Sequence, residues 1–179
     1  MDEPHRSLLT QAEREYLLYE LNNTPTNYPW DKCLHELFEA QVDSSPNAVA
    51  VVFENHRLTY SELNQQANQL AHYLRAQGVR PDTLVGLCVE RGLEMIVAIL
   101  AILKAGGAYV PLDPSYPQER LEYMVEDSGP AVVLTQTWLK DRLAVAGVPV
   151  VSLDAELDEL RVERQDGCGK GHDEGEAPA

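Results

Sequence analysis

The sequence predicts an α/β fold, a parallel sheet flanked by helices with an antiparallel hairpin at its edge. Three observations carry this reading. Between residues 58 and 153 short apolar runs alternate with segments of helical period. The connections between them are short, roughly two to six residues, as in units that wind a parallel sheet with right-handed crossovers. And LVGLCVE (Leu84 to Glu90) is an unbroken apolar run, the pattern of a strand buried on both faces.

The elements follow in order. In LLTQAEREYLLYEL, Leu9, Ala12, Tyr16, Leu17 and Leu21 recur at helical spacing, and Thr10 with Glu13 forms a capping box. NNTPTNYP ends that helix, with Pro25 and Pro29 enforcing an extended path. DKCLHELFEAQVDSSP repeats the helical pattern through Leu34, Leu37, Phe38 and Val42, closed by Pro46. Ala48 to Phe53 and Arg57 to Tyr60 alternate as strands around the turn Glu54-Asn55-His56. The next helix places Leu63, Ala67, Leu70, Ala71 and Leu74 on one face and stops at Gly78. After the Leu84 strand, Leu93 to Leu103 is apolar around nearly its whole circumference, so it is expected to be buried against the sheet. Gly106 and Gly107 read as its left-handed cap, with Lys104 complementing the helix dipole. AYVPL is a short strand, and the helix beginning near Pro117 is expected to be capped by Asp113 or Ser115. AVVLT is a strand, Lys140 to Val145 a short helix and VPVVSL the last strand.

Composition narrows the function. The chain has 179 residues, 44% hydrophobic and 24% charged, ordinary for a folded α/β protein. Its net charge of −15 argues against non-specific binding to nucleic acid or anionic lipid. From Leu153 onward nine carboxylates face three basic residues, so residues 154–179 read as an acidic, glycine-rich tail too poor in apolar groups to fold alone. Cys33, Cys88 and Cys168 are odd in number and widely spaced, which is neither a disulfide framework nor a zinc site. The polar amino terminus is no signal peptide, and the longest uncharged apolar run, Met95 to Leu103, is far short of a membrane span. A soluble, cytoplasmic chain is expected.

No catalytic constellation emerges from the residues themselves. No strand runs into GxGxxG, and Arg91-Gly92 suits a tight turn. Gly169-Lys170 superficially resembles a phosphate loop, but Arg164 stands where its first glycine belongs and Gly171 where its hydroxyl belongs. Cys168 and His172 make half a metal site at best. His35, His56 and His72 are isolated, and Cys88 falls in the buried-strand pattern, where a thiol behaves as a small hydrophobe. The loop after AYVPL lies at the carboxyl end of a parallel strand, a position that faces a crevice in such folds.

Two segments carry a resemblance. LTYSEL (Leu58 to Leu63) and LKAGGAYVPLD (Leu103 to Asp113) resemble the first two core motifs of the amino-acid adenylation domains of nonribosomal peptide synthetases. CLHELFEAQ, the stretch from Pro46 to Val79, and DPSYPQERLEYMVEDSGPAVVLT agree with that family, and LLTQAEREYLLYELNNTPTNYPWDKC resembles the linker between a condensation and an adenylation domain. The resemblance implies three regions: 1–30 linker, 31–153 the amino-terminal part of an adenylation domain of an adenylate-forming enzyme, and 154–179 tail. It also implies chemistry. Such a domain joins an amino acid to the α-phosphate of Mg-ATP, then passes the aminoacyl group to phosphopantetheine on a carrier domain. The family's TSGTTGxPKG phosphate loop and its later motifs have no counterpart in the 179 residues, so no catalytic, cofactor-binding or metal residue is assigned. The expectation is a fragment of an amino-acid-activating ligase, inactive alone, for which ATP and Mg belong to the parent family. The alternative is a non-catalytic module that docks on an intact synthetase or on a complementary chain.

Overall fold

The computed structural model describes residues 9–27, 29–143 and 147–155. The chain divides into two compact units, Met1–Lys32 and Cys33–Ala179. In the first, α1 (Gln11–Glu15) starts at the expected capping box: Thr10 N–H and hydroxyl donate to Glu13 Oε2 at 2.7 and 2.8 Å. The helix widens into a π-turn over Tyr16–Glu20, where Asn22 Nδ2 donates to the Leu17 and Leu18 carbonyls. No residue of either segment is buried.

The second unit contains α2 (Leu34–Ser44), β1 (Val49–Phe53), β2 (His56–Thr59), α3 (Tyr60–Ala76), β3 (Leu84–Cys88), α4 (Leu93–Ala105), β4 (Ala108–Pro111), α5 (Gln118–Ser128), β5 (Val132–Thr135), a 3-10 segment (Thr137–Leu143) and β6 (Val150–Ser152). β3, β4, β5 and β6 form a parallel sheet in the order β4-β3-β5-β6. β1 and β2 pair antiparallel as a separate two-stranded sheet.

Period-2 alternation sorts the sheet's side chains between two cores. Val85, Leu87, Val132, Leu134 and Val151 face α3 and α4. Cys88, Val133 and Leu112 face α5, through Leu121 and Val125, and Leu143 of the 3-10 segment. α3 is cleanly amphipathic: Leu63, Ala67, Leu70, Ala71 and Leu74 are all at most 3% exposed. α4 departs from the expectation of full burial. Val97, Ala98, Ala101, Ile102 and Ala105 are buried, whereas Leu93, Met95, Ile99, Leu100 and Leu103 are half-buried and Ile96 is exposed. The sheet and α3 cover one side of this helix; Met95, Ile99 and Leu100 touch the same core from the flanks, and Ile96 is left outside.

Candidate functional site

The two motifs that set this sequence apart perform backbone tasks. In LTYSEL, Thr59 accepts from the Glu62 N–H at 3.2 Å, while Glu62 Oε2 accepts from Thr59 N–H and Oγ1, both at 2.8 Å. This reciprocal capping box turns β2 directly into α3. The two bonds that Glu62 accepts hold its carboxyl below the ordinary value, the backbone bond contributing most.

In LKAGGAYVPLD, Gly106 sits at φ +92°, a left-handed conformation in which a side chain is strained. Gly106 N–H donates to Leu103 and Gly107 N–H to Ile102, a Schellman pair that ends α4. A Cβ on Gly107 would lie 3.0 Å from both the Thr83 carbonyl and Val79 Cγ1, so the second glycine lets β4 begin tight against β3.

Lys104 stands in the last turn of α4, as its dipole role requires, and has a second role besides. It is 6% exposed, ion-paired with Glu39 of α2, and 5.8 Å from the Phe38 ring centroid. Arg75 of α3 reaches the carbonyl of Lys104 and serves the helix end as well. Lys104 and Glu39 stand on separate helices, and neither segment alone signals that they meet. His35 and His72 line a small polar hollow beside this pair, with Glu36, Asn68 and Arg75; His56 lies exposed at the hairpin turn.

The carboxyl ends of β3, β4 and β5 open into a crevice of about 790 Å³. The strand order is that of a doubly wound sheet, in which the chain moves to one side of the first strand and then to the other; such folds place their binding crevices there. Leu87, Val89, Met95, Ile99, Tyr109 and Pro111 give it apolar walls.

Several polar groups in and beside it hold loops. Glu90 N–H donates to Gln136 Oε1 at 3.0 Å, joining the loops after β3 and β5. Asp113 accepts from the Ser115 N–H at 2.8 Å, which depresses its pKa, with Arg91 adding a smaller push in the same direction. Neither Asp113 nor Ser115 caps α5, whose N-cap is Pro117 without a side-chain bond; Asp113 instead closes its own turn. Arg142 donates to the carbonyls of Pro114 and Tyr116 at 2.6 and 2.8 Å, and Arg120 lies 4.1 Å over the Tyr116 ring. Asp154 accepts from Thr137 N–H and Oγ1 at 2.9 and 3.0 Å. Thr135 donates to the Cys88 carbonyl, and burial pushes the Cys88 thiol up to about 11, which makes it an inert core group.

Sequence reasoning missed Arg142, Gln136 and Asp154, because each acts through a loop remote in sequence. Gly167, Cys168, Gly169, Lys170, Gly171 and His172 lie outside the described residues, as does the rest of the expected tail from 156 on. Among the described residues no three His, Cys, Asp or Glu side chains are grouped to hold a metal. Asp113, Arg142 and Asp154 are bound to the chain's own loops, whereas Glu90, Arg91 and Arg120 line the crevice.

The model of the AMP-binding enzyme family matches residues 38–177. The chain belongs to that family. Its relatives place it more narrowly. It is 49% identical over 150 residues to gramicidin S synthase 2 of Brevibacillus brevis and 50% identical over 154 residues to tyrocidine synthase 3 of Brevibacillus parabrevis. Each alignment takes in 84% of this chain but only 3% and 2% of those proteins. Among solved structures, the nonribosomal peptide synthetase FmoA3 in an AMPPNP-bound form superposes with a TM-score of 0.74 and 37% identity, over 88% of this chain and 18% of that one. VinN shares the fold, with a TM-score of 0.70 and 22% identity over 78% of this chain and 36% of its own. The chain thus corresponds to the amino-terminal part of a synthetase adenylation domain. Among the described residues no helix is long and apolar enough to cross a membrane.

Proposed function

We propose that residues 1–179 supply the amino-terminal framework of a domain that activates an amino acid with ATP, and that this polypeptide by itself does not catalyse the step. The observation that supports this most is the family match over residues 38–177, joined to a crevice at the carboxyl ends of the strands beside which Gln136 and Arg142 tie loops together. Transition-state stabilisation in this chemistry needs free donors converging on the developing phosphate charge. The groups that tie the crevice loops are not free to supply them. ATP and Mg would be held elsewhere in the complete domain, and the aminoacyl group would leave on the phosphopantetheine of a carrier domain in the same cytoplasmic synthetase.

In this reading residues 1–30 form the linker that precedes the domain and 31–153 its first part. The partners are the rest of the synthetase and its carrier. The test is amino-acid-dependent exchange of pyrophosphate into ATP. The 179-residue polypeptide alone should show none, and exchange should appear when the remainder of an adenylation domain is fused to it. Exchange from a monodisperse monomer of the 179 residues would overturn the proposal.

A further inference from the structure

The hollow beside Lys104, of about 350 Å³, lies where α2, α3 and the end of α4 meet, and it shares no residue with the crevice. Ala71 is the one apolar residue that lines it. Helical spacing accounts for one polar wall: Asn68, His72 and Arg75 stand four and three residues apart, so they share a face of α3. α2 adds His35, Glu36 and Glu39, and α4 adds Lys104, whose side chain is 4% exposed. These groups divide by what they already hold. Glu36 accepts from the Cys33 N–H at 2.7 Å and Glu39 pairs with Lys104, so both carboxylates have partners within the chain. Arg75 spends one donor of its guanidinium fork on the Lys104 carbonyl. The side chains of His35, Asn68 and His72 make no hydrogen bond among the described residues. What remains free in the hollow is a set of donors: the rest of the Arg75 fork, the Asn68 amide and two imidazoles.

We propose that this hollow binds a phosphate dianion, free or at the end of a monoester, with Arg75, Asn68, His35 and His72 as its donors. A guanidinium fork beside amide and imidazole donors in a concave site suits a tetrahedral oxyanion, whose oxygens only accept. The volume stands at the small end of the range for ligand sites, enough for the ion and a short ester arm. A metal cation is the poorer occupant. Both carboxylates are paired, and no three His, Cys, Asp or Glu side chains among the described residues are grouped to hold one. Charge sets a second expectation. Arg75 and Lys104 balance Glu36 and Glu39, so the hollow is neutral while both imidazoles are neutral and becomes positive as they take up protons. A dianion should therefore bind more tightly in mild acid than in mild base.

The experiment titrates the 179-residue chain with inorganic phosphate, glycerol 3-phosphate and sulfate at fixed ionic strength, read by calorimetry and by the imidazole resonances in NMR. A dissociation constant of about 1 mM or lower is expected for phosphate or its ester, and the tighter of the two names the source. Sulfate, whose own charge is constant over this range, should bind about fivefold or more tightly at about pH 6 than at about pH 8. The double variant Asn68→Ala with His72→Gln should weaken all three probes by about tenfold or more. His35→Gln with His72→Gln should abolish the pH dependence of sulfate binding. His56→Gln, at the exposed hairpin turn, should leave affinity within about twofold. Retained circular dichroism and melting temperature in each variant separate loss of the site from loss of the fold. Affinity weaker than about 10 mM for every probe would overturn the proposal. So would affinity indifferent to the Asn68 and His72 variants, or sulfate binding equal at the two pH values.

Discussion

α3 and α4 lie side by side, 17 and 13 residues long, and share one core, yet they meet solvent on opposite terms. α3 buries every residue of its apolar stripe and turns Glu62, Gln65 and His72 outward. α4 buries one face as thoroughly and leaves the other apolar and half open. The first helix is satisfied by this chain. The second has more apolar surface than the described chain can cover. The contrast separates the apolar surface that folding closes from the apolar surface it leaves open.

The largest expected effect tests the shared core. Ala101 of α4 is fully buried, so Ala101→Asp would strand a carboxylate at a cost of several kcal/mol, against a typical folding margin of ~5–15 kcal/mol. Loss of the cooperative urea transition is expected. Ile96→Asp, five residues earlier on the open face, should cost less than about 1 kcal/mol. Equal costs for the two variants would erase the distinction between the faces of α4. A step smaller, Leu70→Ala in α3 should cost about 2–5 kcal/mol by cavity formation at a site 1% exposed. Leu103→Ala on the half-buried side of α4 should cost clearly less, about 1–2 kcal/mol, since its neighbours are incomplete. Urea midpoints of the two variants, compared at equal m-value, decide the order.

Much of this contrast is legible in the sequence. The stripe Leu63–Ala67–Leu70–Ala71–Leu74 announces α3 by its period, and Gly106-Gly107 announces the end of α4 by the conformation only glycine adopts easily. The parallel sheet follows from short connections between apolar runs. What the pattern could not show is which side of α4 is covered, because an all-apolar helix has no polar face to point outward. Nor could it show the loop ties of Gln136, Arg142 and Asp154, or the bond from Lys104 to Glu39 across 65 residues. Those are decided by tertiary geometry. The site was legible only as a location, the carboxyl end of the sheet, and its walls were not.

That Lys104–Glu39 pair gives the next effect in size. The Lys104 side chain is 4% exposed and Glu39 47%, so the pair is half-desolvated and anchors α2 to the end of α4. Glu39→Gln leaves a buried ammonium with a weaker partner. Breaking a fully buried pair costs ~3–5 kcal/mol; with one partner half in solvent, about 1–2 kcal/mol is expected. Lys104→Met, which removes the buried charge and keeps the length, should recover part of that loss in the Glu39→Gln background. Failure of the second substitution to recover any stability would mean the pair is held together by something other than charge.

The smallest expected effect is the pH dependence of the capping box that starts α3. Glu62 accepts from the Thr59 N–H and hydroxyl, and these bonds hold its folded-state pKa below the ordinary 4.5. A group depressed on folding binds fewer protons folded than unfolded, so it adds stability above the unfolded value. That contribution is complete at pH 7. It begins to fade as pH falls through 4.5 and is gone once the depressed value has been passed. Glu13 in α1 is depressed in the same way by Thr10, but no residue of that helix is buried, so little packing depends on its capping box. Glu62→Gln should therefore flatten part of the fall in melting temperature between about pH 5 and the acid limit, while Glu13→Gln should leave the curve unchanged. Melting curves of the two variants across that range carry the comparison. An equal flattening by Glu13→Gln would show that a capping box on a helix with no buried residue weighs as much as the one that starts α3, and the comparison would fail.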